Sequence, residues 1–355
     1  MGVAEFALAP PQARRIPAIR YIVGPAYDWC FFLLPPLASL AVGVLISGTN
    51  FADGEIDFWG QSETLSCVMI GVVIHAHIFA VFFRSHANKN VFRKFPARFV
   101  LAPVLLYLAM VCSSWLLVSV AVLTTFWDVY HSGMQTFGFG RIYDARAGND
   151  PSVGRRLDLV LNQLLYAGPI VAGATMLAHF NRFEYFEDVD SVFLPQIPGL
   201  METHQHYFTW GLLILGSGYL VYYLFSYWRL WQRGYQISLA KVFLLTTTGF
   251  CSIYTWGFNS WGEAFLIMNL FHAIQYFGLV WSSEKTTLRR LAGVRNPRIA
   301  KPASIAMLLC VTGAYGYWVE AFDADIEWLW AVTLTVSIMH FWYDGFIWSV
   351  RRKEV

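Results

Sequence analysis

Along the chain, hydrophobic positions come in runs of about twenty residues closed off by short polar stretches, the length a helix needs to cross a hydrocarbon layer about 30 Å thick. The runs predict spans at roughly 30–48, 64–84, 98–116, 118–140, 160–180, 207–228, 241–258, 263–282, 302–319 and 327–348, ten in all. The stretch from 98 to 140 is too long for one crossing, so two spans must share a tight turn near Cys112-Ser113-Ser114-Trp115. The fold class expected is all-α: a polytopic transmembrane helical bundle in one integral membrane domain, 1–355, with a longer external loop at 181–206 and no internal repeat.

Charge between the runs orients them. "HANKNVFRKFPAR", "RIYDARAGNDPSVGRR", "RLWQRGYQISLAK", "EKTTLRRLAGVRNPRIAK" and the final "RRKEV" are basic, and they alternate with the acidic "FADGEIDFWGQSET", "NRFEYFEDVDSVFLPQIPGLMETHQH" and "AFDADIE". Basic loops stay on the cytoplasmic side, which places both termini there, including the 29 residues ahead of the first run. Arg14, Arg15 and Arg20 precede that run without a small-residue cleavage site, and Phe6 stands where a myristoylation motif needs Ser or Thr. Neither a cleaved signal peptide nor a lipid anchor is expected. The cell membrane of a bacterium is the expected location.

Composition agrees: 57% hydrophobic and only 14% charged residues, below the charge of an ordinary soluble domain. The five cysteines form no CxxC pair and read as small apolar fillers. There is no phosphate-binding glycine loop, GxGxxG or GxSxG elbow, and the basic residues follow topology, so no nucleic-acid partner is expected. The lipid bilayer is the expected partner; protein partners are unknown.

The chemistry lies with the histidines. Of nine, His75, His131, His272 and His340 fall in the second, fourth, eighth and tenth spans, all running in one direction. Counted from the outer ends, they lie at depths of about 16, 20, 14 and 20 Å. Imidazoles at a shared depth can converge on one point. Ionisable groups inside a membrane are costly and mark functional sites, although a single intramembrane His is more often a packing residue. His77, two residues from His75, faces another side of the same helix, so only one of the two should enter the site; His75 is the first choice. Imidazole suits Zn, Cu and Fe. His86, at the end of its span, and His179, His204 and His206, on the outer surface, are set aside.

Polar residues accompany these histidines at helical spacing: Asp128 and Gln135 around His131, Asn269 and Gln275 around His272, and Asp344 four after His340. They are natural partners for the second ring nitrogen of a metal-bound imidazole, and Asp128 and Asp344 can offset the ion's charge. Asp344 has a second reading, as a boundary residue pairing with Arg351 or Arg352. Phe137, Phe139, Tyr276, Phe277, Phe341, Trp342 and Tyr343 flank the histidines, either lining an apolar pocket or packing between helices.

Three segments, "HSGMQTF" from His131, "HAIQYFGLVW" from His272 and "HFWYDGFIW" from His340, resemble in order and spacing the motifs of the Brp/Blh family of membrane-bound bacterial and archaeal β-carotene dioxygenases; "IHAHIFA" around His75 is a looser match. The resemblance implies a multi-helix membrane enzyme holding non-haem Fe(II) through four histidines and cleaving the central double bond of β-carotene with O₂ as co-substrate to give retinal. Carried over, the ligands are His75, or His77 in its place, with His131, His272 and His340; Asp128, Gln135, Gln275 and Asp344, placed by helical spacing and not by the resemblance, complete the expected catalytic site. This chain departs from the pattern at Phe79 (or Val81) and at Thr136, where the family has Asp. Two other classes use intramembrane histidines: a transporter or channel, which needs matched helices broken near the midplane, whereas Gly168-Pro169, Gly173 and the pair Gly216 and Gly218 supply no matched pair of interrupted spans and rank it lower, and a haem or quinone redox protein.

Overall fold

The computed structural model describes residues 19–321 and 326–348. Arg14, Arg15, most of the "AFDADIE" loop and the C-terminal "RRKEV", with Arg351 and Arg352, lie outside the described residues. The chain is all-α. A helix underlies each of the ten predicted segments: α1 Pro35–Ile46, α2 Leu65–Ser85, α3 Pro96–Val111, α4 Ser114–Ala147, α5 Arg155–Tyr166, α6 Ile197–Gln232, α7 Leu239–Phe258, α8 Trp261–Ala292, α9 Pro297–Ala321 and α10 Glu327–Ile347. Four of the described helices are long and apolar enough to cross a membrane, and six if each of two bent pairs counts as one crossing.

Local chemistry sets the boundaries. The tight turn falls at Cys112-Ser113, where the Ser113 hydroxyl accepts from Leu116 N and starts α4. Gly148, at φ 97°, ends α4 in the left-handed conformation. Thr64 and Ser238 cap α2 and α7 in the same manner. Before α1, a short turn at Pro25–Asp28 and a π-helical turn at Trp29–Leu33 lead into the Pro35-Pro36 start, with a bend of 52°.

Three predicted features differ. The span at 160–180 is not one helix: α5 and the turn Gly168–Ala172 end at Gly173, and the chain turns by 94° into Met176–Phe180 and a 3₁₀ segment, Asn181–Val189. A side chain on Gly173 would collide with the backbone of Trp256 and Gly257, so the close crossing with α7 requires glycine there. The expected loop at 181–206 is largely helical, because α6 starts at Ile197. The acidic connection before α2 forms a hairpin, β1 Glu55–Phe58 with β2 Gln61–Thr64, paired Glu55↔Thr64 to Phe58↔Gln61. All five cysteines are free, and Cys251 is the buried one.

Two cations counted among the basic loops are interior. Arg141 and Lys241, each 3% exposed, share the buried carboxylates of Asp144 and Asp158: Arg141 Nη1 lies 2.7 Å from Asp144 Oδ2 and 2.5 Å from Asp158 Oδ2, and Lys241 Nζ 2.8 Å from Asp144 Oδ2. Tyr223 and Tyr227 donate to Asp158 Oδ1 at 2.9 and 2.6 Å. Buried charges persist only when paired and hydrogen-bonded in this way. A third buried carboxylate, Asp28, accepts from the backbone N–H groups of Ile22, Val23 and Gly24 and from the Tyr143 hydroxyl, tying the N-terminal segment to α4.

Helix α8 is the hub, packed against α1, α2, α7 and α9. Small residues set the closest approaches: a side chain on Gly43 would meet Ile267, and one on Gly316 would run into the Val72 carbonyl of α2. The windows of α6 and α9 that carry their apolar character are only 6% and 22% buried, so much of that surface faces outward. Gly316→Ala should lower thermal stability in detergent by roughly 1–3 kcal/mol, as overpacking does, while Gly313→Ala, where no atom lies within 4 Å, should be near neutral. Equal melting temperatures for the two variants would refute this account of the α2–α9 seam.

Candidate metal centre

His77 on α2, His131 on α4, His272 on α8 and His340 on α10 meet in one closed ring. Neighbouring centroids are 4.9 Å (His77–His272), 5.2 Å (His272–His131), 4.6 Å (His131–His340) and 5.2 Å (His340–His77), each pair edge to face. All four are buried, His131 being the most exposed at 5%.

Six of their eight ring nitrogens lack a protein hydrogen bond. Both ring nitrogens of His77 and of His340, and Nε2 of His131 and of His272, are buried with no hydrogen bond. Orphaned buried polar groups are rare and expensive, and four together at the junction of four helices have the form of a donor set waiting for a cation. One nitrogen each from His77, His272 and His340 lie within 4.8 Å of one another, as do donor atoms of His131, His340 and Asp344. Neutral imidazoles in this number suit a borderline transition metal, so these residues could hold a metal ion.

His75 is elsewhere. Its Nδ1 lies 2.8 Å from Glu320 Oε1 on α9 and 3.0 Å from the Gly71 carbonyl. Two residues along a helix turn a side chain by about 200°, so His75 and His77 leave α2 on nearly opposite sides. The first choice for the ligand of α2 is therefore corrected: His77 enters the ring and His75 contacts the Glu320 carboxylate on the α9 side.

The flanking polar residues divide. Asp344 is 12% exposed at its side chain, and its Oδ1 accepts from the Tyr276 hydroxyl and from Trp348 Nε1, both at 2.9 Å. Those bonds aim Oδ2 at the ring, 3.8 Å from His131 Nε2 and 4.0 Å from His340 Nε2, beyond hydrogen-bond range. Gln135 Nε2 donates to the His272 carbonyl and to Gln275 Oε1, each at 3.1 Å, and Gln275 Nε2 donates to the Phe32 carbonyl at 2.8 Å. The two glutamines thus hold the backbone that carries His272. Asn269 Nδ2 is spent on the Phe265 carbonyl of its own helix. Asp128 is not brought to the ring: among the described residues no hydrogen bond or ion pair links it to any of the four imidazoles, and Asp344 is the carboxylate that faces them.

Of the flanking aromatics, Tyr276 and Phe341 touch the ring, at centroid distances of 4.7 Å from His340 and 4.8 Å from His131. Phe139 packs on Phe32 and Tyr343 on Phe99. Trp348 was not singled out in the sequence, although its place one turn after Asp344 was a usable signal. His179, assigned to the outer surface, is buried beside Trp256, with Nδ1 2.8 Å from the Thr175 carbonyl; His204 and His206 are exposed on α6.

No family model, curated protein or solved structure matches this chain.

His77→Ala should abolish stoichiometric uptake of a divalent ion titrated into the purified protein, whereas His75→Ala should leave it intact. Equal losses in the two variants would remove His77 from its special place in the centre.

Proposed function

We propose that the chain is a polytopic membrane oxygenase, a ten-helix bundle with both termini cytoplasmic, whose His77, His131, His272 and His340 hold a non-haem Fe(II) ion. The substrate is a long apolar molecule entering from the lipid, most specifically β-carotene, cleaved with O₂ at its central double bond to two retinal molecules. The observation that carries this reading is the ring of buried imidazole nitrogens without protein partners. The three motif segments that resemble the carotene dioxygenases contribute His131, His272 and His340 to that ring, and the outward apolar surface of α6 suits a bilayer.

When bound, the iron supplies the redox chemistry that activates O₂. The protein's own groups do the rest. Four neutral imidazoles leave the ion's charge uncompensated, and the Asp344 carboxylate, aimed by Tyr276 and Trp348, lowers the cost of keeping that charge away from water. Gln135 and Gln275 fix the helical backbone under His272, which preserves the ring geometry. Tyr276 and Phe341 present apolar faces beside the imidazoles and exclude water from them.

The sharp break at Gly173 and the bend before Pro35 favour a second reading, a transporter whose broken helices frame an ion path. Metal-dependent flux in liposomes would support it. A haem reading has less room, since adjacent imidazole centroids 4.6–5.2 Å apart leave no slot for a macrocycle between them.

Purified protein should contain stoichiometric iron by elemental analysis, and expression in a carotene-producing host should yield retinal. His272→Ala should lose both, and Asp344→Asn should weaken iron retention by about 10–100-fold, the usual effect of removing a group that supports a ligand. Iron-free wild type would refute the metal assignment, while iron without retinal would refute only the substrate.

A further inference from the structure

A cleft of about 400 Å³ lies between the start of α5 and the last turns of α6, lined by Ser152, Gly154, Arg155, Arg156, Leu157, Ser226, Arg229, Leu230 and Arg233. We infer that this cleft binds a phosphate group through Arg155, Arg156, Arg229 and Arg233, either on an anionic phospholipid headgroup or on a soluble phosphate.

The walls are held rigidly. Tyr219, Tyr223 and Tyr227, at steps of four on α6, donate to the Leu157 carbonyl and to Asp158, stapling α6 to α5. The adjoining flank of the same helix, next to that tyrosine stripe, then presents Ser226, Arg229, Leu230 and Arg233, spaced at three and four, toward the cleft. Gly154, at φ 71°, brings the chain against the Tyr227 hydroxyl and starts α5 without a side-chain cap. The first turn of α5 therefore adds uncapped N–H groups and the positive end of its dipole to the same space.

The four guanidinium groups are uncompensated. Among the described residues none of them makes an ion pair or a side-chain hydrogen bond; Arg155 and Arg229 stack on Phe137 and Phe225 at 5.5 and 5.1 Å, which orients them without neutralising them. Neither nearby carboxylate makes an ion pair with these arginines. Asp158 is buried against Arg141 and Lys241, and Asp150, outside the lining, accepts from the amide and hydroxyl of Ser152. Topology accounts for basic residues at this end of the bundle, but not for four arginines from two helices converging on one concavity. Arginine's planar fork matches phosphate oxygens two at a time, and basic pockets between membrane helices take anionic headgroups. Just beyond the cleft, Val221, Leu224, Phe225 and Trp228 expose an apolar strip along α6, the path that acyl chains would follow.

Native mass spectrometry of the full chain in neutral detergent, titrated with phosphatidylglycerol, phosphatidylcholine or inorganic phosphate, tests this. Phosphatidylglycerol should bind at least tenfold more tightly than phosphatidylcholine if the phosphate sits on a lipid; displacement of bound lipid by millimolar inorganic phosphate, or phosphate adducts alone, would identify the soluble source. Arg229→Gln/Arg233→Gln and Arg155→Gln/Arg156→Gln should each weaken binding about tenfold, and Arg229→Lys/Arg233→Lys less. Lys285→Gln/Arg289→Gln, an equal charge loss on the exposed face of α8, should have no effect. Binding that fails to discriminate phosphatidylglycerol from phosphatidylcholine with no phosphate adduct, or that falls equally in the α8 control, overturns the assignment. Melting temperatures of the variants separate lost binding from lost folding, and neither iron nor retinal enters the readout.

Discussion

Burying four imidazoles together while leaving six of their ring nitrogens without a protein hydrogen bond is the constraint around which the rest of the bundle is arranged. Each orphaned nitrogen costs on the order of 1–3 kcal/mol when desolvated, and nothing in the packing of α2, α4, α8 and α10 returns it. A cluster of this kind persists where a ligand supplies the missing interaction, so the apo protein should be the less stable state by linkage. The surrounding hydrogen bonds follow from the same constraint: Gln135 and Gln275 serve the backbone under His272, and Tyr276 and Trp348 serve Asp344, leaving the inward-facing nitrogens free.

The charged network at the other end of the bundle works by the opposite logic. Arg141, Lys241, Asp144 and Asp158 bring two cations and two carboxylates into the interior and settle them among themselves, with tyrosine hydroxyls completing the shell. Such an arrangement is costly relative to apolar packing but unforgiving of partial loss, and it fixes α4, α5 and α7 against one another. Because Asp158 is spent there, the arginines on the outer side of the α5–α6 seam have no internal counter-ion. One part of the fold is satisfied internally, whereas the imidazole ring and the arginine cleft are left without protein counterparts among the described residues.

Much of this was legible in the sequence, because the features concerned are local. Long apolar runs located every major helix, the Ser113 turn followed from length alone, and three of the four ring histidines could be placed by depth. The choice between His75 and His77 was not legible: it depends on Glu320, some 245 residues away on α9, taking one of the two faces of α2. Arg141 and Lys241 read as loop cations for the same reason, since hydropathy cannot see a buried partner on another helix. Asp128 shares a helical face with His131 in spacing, yet the carboxylate that faces His131, at 3.8 Å, is Asp344, set by the approach of α10. The break at Gly173 had a local signal in Gly168-Pro169, but its sharpness comes from contact with α7.

The opposed histidines of α2 carry a consequence for how this helix can vary. His77 faces the imidazole ring and His75 faces Glu320, so rotating α2 by one residue, about 100°, would withdraw a donor from the interior and break the His75–Glu320 contact in the same movement. Added or lost residues within the helix ahead of His75 cannot be absorbed by turning it. The β1–β2 hairpin at Glu55–Thr64, outside the helix and joined to it by the Thr64 cap, is where length can change without altering that phase. Helix α2 thus behaves as a keyed shaft, with its rotational setting read from two sides at once.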